Sequence, residues 1–215
     1  MYKVRLQELC REAHFPVAEF GSEHFVVTPG IAGDLRILPY VEQWKKALSS
    51  GWYHVRMADH SIFIFSEGAK PSYAFLHSPL QIVTFAEYLE ALGERDTPRA
   101  RALHREDYAH VFDTASLREY VTPIRFDYDA ASYRAGARPA AHIHIGLDNE
   151  IRLAANKMSA VSFLLFVMRQ MYPKCWERLL GRQKRDWLVR PIRGESTELP
   201  KELWSQVDRI ELHLA

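Results

Sequence analysis

Arg125-Phe126-Asp127-Tyr128-Asp129 and His142-Ile143-His144-Ile145-Gly146, the two ends of the stretch 120–146, alternate polar with apolar residues. Successive side chains on a strand point to opposite faces, so this alternation reads as two half-buried β-strands. Arg125, Asp127 and Asp129 then share one face of the first strand, and His142, His144 and Gly146 share one face of the second. Phe126, Tyr128, Ile143 and Ile145 fall on the opposite faces. The connection 130–139 is short enough to close an antiparallel hairpin, with Gly136 and Pro139 as turn and strand-start residues. If both apolar faces pack on one core, an arginine, two carboxylates and two histidines meet on the other side of the sheet.

Upstream, 52–57, 61–66 and 72–77 are rich in aromatic and β-branched residues and are separated by turn-like connections of hairpin length. They read as an antiparallel meander leading toward the hairpin. Downstream, Ile151-Arg152-Leu153 reads as a short extended piece. Residues 158–171 are apolar almost all round until Arg169 and Gln170, which predicts a helix buried against the sheet, opened by Lys157 or Ser159 and ended before Pro173. The expected architecture is α+β in a single domain spanning 1–215: an antiparallel sheet of about five strands backed by the core helix 157–171.

Around this frame, 2–14 has helical spacing before Pro16, 40–48 is an amphipathic helix after Pro39, and 84–92 carries a capping box of Thr84 and Glu87. The charged run 96–108 reads as a solvated helix, and 113–120 repeats the capped-helix signal. Between 20 and 38, Phe25-Val26-Val27 and Leu35-Arg36-Ile37-Leu38 read as short β-like pieces, with Pro29-Gly30 and Gly33-Asp34 as turns. A helix over 174–182, a strand over 187–192 and a helix or helix-strand ending over 200–214 complete the reading.

Composition bounds the function without choosing it. Twenty-eight Lys and Arg against 27 Asp and Glu leave no global field to attract nucleic acid or a membrane. The two cysteines, Cys10 and Cys175, form neither a disulfide framework nor a CxxC clamp. The first residues lack an apolar core of signal-peptide length, and the most apolar run is too short to span a bilayer, so a cytoplasmic location without a membrane partner is expected. No GxxxxGK(S/T) loop, GxGxxG turn, GxSxG elbow or HExxH helix occurs, which counts against NTPases, dinucleotide enzymes, α/β-hydrolases and zincins.

The hairpin residues support two chemistries. His142 and His144 can act as general base and general acid in breaking an RNA phosphodiester, oriented by Asp127 and Asp129, with Arg125 neutralising the phosphoryl oxygens. Alternatively, two histidines one residue apart present both imidazoles to one side, and with Asp127 or Asp129 across the hairpin they can ligate a divalent metal ion. The bland alternative is a polar sheet face with cross-strand ion pairs. Arg152 and Asn156, just beyond the second strand, are candidate substrate contacts. So are Arg182, Lys184 and Arg185, which belong to a basic run from Lys174 to Arg193 interleaved with Trp176 and Trp187, a pattern suited to phosphates and stacked bases.

From Arg125-Phe126-Asp127-Tyr128-Asp129 through His142-Ile143-His144-Ile145-Gly146 to Ser162-Phe163-Leu164-Leu165-Phe166, the chain resembles the bacterial family of domains of unknown function numbered 2290. More distantly, the arginine-aspartate strand followed by a histidine strand is similar to TumE-type toxins, although Pro139-Ala140-Ala141 stands where those toxins tend to carry extra histidines. That second likeness implies an RNA-cutting toxin or effector of a toxin-antitoxin or phage-defence locus, with an antitoxin or defence-system protein as partner and RNA or DNA as substrate. The rival expectation is a non-catalytic subunit that docks onto a partner enzyme.

Overall fold

A computed structural model describes residues 2–147, 151–181 and 198–208. It contains one antiparallel sheet of seven strands in strict sequence order: β1 (Val17–Phe20), β2 (Val55–Met57), β3 (Ile62–Ser66), β4 (Ser72–Leu76), β5 (Ile124–Tyr128), β6 (Ala141–Ile145) and β7 (Ile151–Ala154). The helices are α1 (Tyr2–Glu12), α2 (Pro29–Arg36), α3 (Tyr40–Ser49), α4 (Phe85–Ala91), α5 (Pro98–Leu103), α6 (Arg105–Thr114), α7 (Ala160–Met171) and α8 (Pro173–Gly181).

Cross-strand register carries the two-residue alternation across the sheet. Phe63 pairs with Phe75, Phe75 with Ile124, Tyr73 with Phe126, and Phe126 with Ile143. These side chains form one face, covered by Leu6, Leu9 and Cys10 of α1 and by Phe163, Leu164 and Val167 of α7. Phe163 stands edge-on to Phe63 and Phe65, and eight of the twelve α7 residues are buried, as the all-round apolar pattern predicts. The opposite face carries a second apolar cluster in which Ile62 and Ile64 meet Trp44 and Ala47 of α3 and Tyr108 of α6. β3 is therefore buried on both faces, which is why its sequence is apolar at four consecutive positions.

Among the described residues the sheet has seven strands rather than five. The two additional ones are its edges: β1, where Val17 and Phe20 are half-buried against the core and Ala18 and Glu19 are exposed, and β7, exposed at three of its four residues. A register shift between Val17 and Glu19 breaks the period of two in β1, and β7, at the open edge, shows it only as a short extended piece. The segment read as a turn at Pro29-Gly30 is instead the first turn of α2. Thr28 caps it by accepting from the Ile31 amide at 3.3 Å, and Pro29 occupies the first helical turn, where its missing N–H costs nothing. Leu35 and Arg36 lie in that helix, and Phe25–Val27 forms no regular element.

The capped helix expected over 113–120 is absent: Asp113 sits inside α6, and Leu117 forms an isolated bridge with Leu80. The charged run holds two helices, broken at His104. A single turn of 3-10 helix, Lys201–Leu203, lies within the expected C-terminal element. The strand read at 187–192, and the ending beyond 208, lie outside the described residues. Among the described residues, no helix is long and apolar enough to cross a membrane.

Candidate functional site

Antiparallel pairing sets Asp127 directly opposite His142 and Arg125 opposite His144. The neighbouring strands extend both rows, with Ser72 opposite Asp127 on β4 and Arg152 opposite His144 on β7. The face away from the phenylalanine core thus gathers Arg125, Asp127, His142 and His144, as alternation predicts. Both histidines are nonetheless buried, at 5 % and 3 % exposure.

Asp127, His142 and His144 each offer one ligand atom, and these atoms all lie within 4.8 Å of one another. His144 Nε2 is 3.7 Å from Asp127 Oδ2, and the two imidazoles stand edge-to-face with ring centres 4.7 Å apart. His142 Nδ1 lies 3.2 Å from the Pro139 carbonyl. A carbonyl only accepts, so this contact puts the proton on Nδ1 and leaves Nε2 with its lone pair, the arrangement that orients metal-ligating histidines. Asp127 is held on both oxygens. Ser72 Oγ donates to Oδ1 at 2.7 Å, and Arg125 Nε donates to Oδ2 at 2.6 Å.

The electrostatics separate the two chemistries. Burial first, then the Arg125 charge, lowers the His144 pKa to about 4. Burial likewise lowers that of His142, against the opposing pull of Asp127. Both imidazoles are therefore neutral near pH 7. A neutral imidazole can ligate a metal or accept a proton, whereas an acid-base pair also needs one of the two protonated. The donor set of two imidazoles and one carboxylate fits a first-row divalent ion such as Mn²⁺, Fe²⁺ or Zn²⁺.

His144, Arg125 and Ser72 also line a cavity of about 610 Å³. Its opposite wall is built by Leu35 and Arg36 of α2 with Tyr40 and Gln43 of α3, and Ile64, Ala74 and Leu76 make its apolar floor. Tyr40 is fixed there by donating to the His77 carbonyl at 2.6 Å, and Gln43 by donating to the Leu38 carbonyl at 2.7 Å. The site thus opens onto a space with an apolar bed and a cationic rim.

Other predicted residues stand elsewhere. Asp129 leaves the strand row to accept from Ser132 at 2.6 Å and Lys70 at 2.9 Å. These partners push its pKa down to about 2, and it is not part of the Asp127, His142 and His144 cluster. Arg152 is exposed on β7, close enough to bias both histidines against protonation, and Asn156 is exposed after that strand. Arg182, Lys184 and Arg185 lie outside the described residues, as does Trp187, while Trp176 packs against the core as an inward-facing residue of α8. Ser72 was missed. Its signal is positional, since a small polar residue opening an apolar strand falls opposite Asp127 only once the β4–β5 register is known.

The family described as Uncharacterized conserved protein (DUF2290) matches residues 9–214. No curated protein and no solved structure matches the chain.

Proposed function

This chain belongs to the DUF2290 family of uncharacterized conserved proteins, and we propose that it is a metal-dependent nuclease acting on RNA. The observation that carries the reading is the convergence of Asp127 with two buried, neutral imidazoles beside an arginine and a cavity. Asp127, His142 and His144 would hold a divalent ion, which when bound would polarise a phosphate and lower the pKa of a bound water. Arg125 spends Nε on Asp127 and keeps its Nη groups to neutralise charge on a phosphoryl oxygen. The apolar floor at Ile64, Ala74 and Leu76 would offer an aliphatic surface for a base to pack on. The choice of RNA over DNA, and a role as toxin or effector of a toxin-antitoxin or phage-defence locus, are proposed from the distant resemblance of the hairpin sequence to TumE-type toxins, and a cytoplasmic setting is proposed from the sequence, which offers no apolar run of signal-peptide or membrane-spanning length.

The test is cleavage of labelled single-stranded RNA and DNA by purified protein, with EDTA and with Mn²⁺ or Zn²⁺ added back. Wild type should cut RNA, lose activity in EDTA and regain it with metal, and the His142→Ala/His144→Ala protein should be folded and inactive. Cleavage that survives EDTA would return the histidines to acid-base roles. A second reading, a non-catalytic subunit docking onto a partner enzyme, draws on the β7 edge, where Ile151 and Leu153 are 52 % and 40 % exposed. It gains if well-folded wild type cuts neither polymer and the double variant still supports the cellular function.

A further inference from the structure

A second cavity, of about 690 Å³, lies over the opposite end of the same sheet, between β1–β2 and the helices α4 to α6. Among the described residues, three guanidinium groups line it, those of Arg56, Arg101 and Arg105, against one carboxylate, Glu19. Both Glu19 oxygens are occupied, one by the Tyr53 hydroxyl and the other by Arg56 Nη2 at 2.6 Å. Arg101 is held bidentate by Asp96, which is not part of the wall. Arg105 is exposed and forms no ion pair among the described residues. The lining is therefore cationic, with Arg105 uncommitted and Arg56 only partly committed.

The rest of the wall suits a ring. Phe85 stacks on Tyr108, with centroids 4.2 Å apart and planes 5° from parallel, and the Arg101 guanidinium lies 5.4 Å from the Phe85 ring centre. Ala18, Ala58, Ala102 and Ala109 keep the space open. Two polar atoms of lining residues, Arg56 Nε and His60 Nδ1, are buried with no hydrogen-bond partner among the described residues. Tyr108 Oη donates to the Val83 carbonyl at 2.7 Å, so it accepts from His60 Nε2, also at 2.7 Å, and Nδ1 is left as a bare acceptor. Unpaired buried polar atoms are costly in a packed core and reasonable beside a space that admits water or a polar guest.

We infer that this cavity binds a small aromatic phosphate ester of mononucleotide size, its phosphate at Arg56 and Arg105 and its ring against Phe85 and Tyr108. The volume lies within the range of small-molecule sites. The inference requires neither metal nor cleavage at Asp127, His142 and His144.

Calorimetric titration of the full chain tests it, with adenosine 5′-monophosphate, phenyl phosphate, inorganic phosphate and adenosine as probes. The two aromatic phosphates should bind, and phosphate or adenosine alone should bind at least about tenfold more weakly, because each meets only half of the site. Arg105→Glu and Ala109→Trp, both at exposed positions of α6, should each cost at least about tenfold in affinity with unchanged circular dichroism. The His142→Ala/His144→Ala protein should bind as wild type does. Absence of binding to folded wild type, equal binding of inorganic phosphate, indifference to the two α6 substitutions, or loss of binding in the histidine double variant would each overturn the inference.

Discussion

At His144 the fold sets an imidazole that gives up its proton far below neutral pH between an arginine and a carboxylate. Such a group offers a lone pair continuously at pH 7, and so does His142, whose other nitrogen is spent on Pro139. Titration with Mn²⁺ or Zn²⁺ should therefore show one site. Loss of an outer partner typically costs about 10–100-fold in metal affinity, so Ser72→Ala should fall in that range and His144→Ala should lose at least about 100-fold. Unchanged affinity in His144→Ala would remove that residue from the ligand set. Most of this residue-scale picture was legible, because a period of two dictates which side chains share a face. The distinction between Asp127 and Asp129 was not. It depends on Lys70 and Ser132 drawing Asp129 out of the strand row, and the Lys70 contact spans 59 residues of chain.

Among the elements, α7 was the most legible, since a helix apolar on all sides has no stable place except under a sheet. Phe163 is fully buried and its ring meets those of Phe63, Phe65 and Tyr73. Phe163→Ala should cost about 3–5 kcal/mol, read as a lower midpoint in urea at unchanged slope. Ser159→Ala, which removes the capping box of α7, should cost about 1 kcal/mol in the same assay. The elements that sequence missed are those where burial writes no pattern. β1 is an edge strand stitched on by pairing with β2, and α2 is short, has no buried residue and carries two glycines.

Across the whole molecule, burial leaves His54, His60 and His144 with pKa values of about 4. Above pH 6.5 these groups are neutral folded or unfolded, and they add no pH dependence. Below it the unfolded chain takes up protons that the folded chain refuses, so stability falls as pH drops from 6.5 toward 4 and then levels. Each histidine contributes up to about 1.4 kcal/mol per pH unit within that window. Thermal melts should show a plateau near neutrality and a steep decline from pH 6 to pH 4.5. A flat profile there would mean that these rings already share their protons with solvent.

A sheet whose strands pair only with their neighbours in the chain can be laid down in the order of synthesis, each new strand zipping onto the last without waiting for a distant partner. Its phenylalanine face has no such luck. Part of its cover, α7, is translated after the seven described strands, and until residue 171 has left the ribosome a broad aromatic wall stands open to water and to other nascent chains. Chains interrupted before Ala160 should be the ones that chaperones capture.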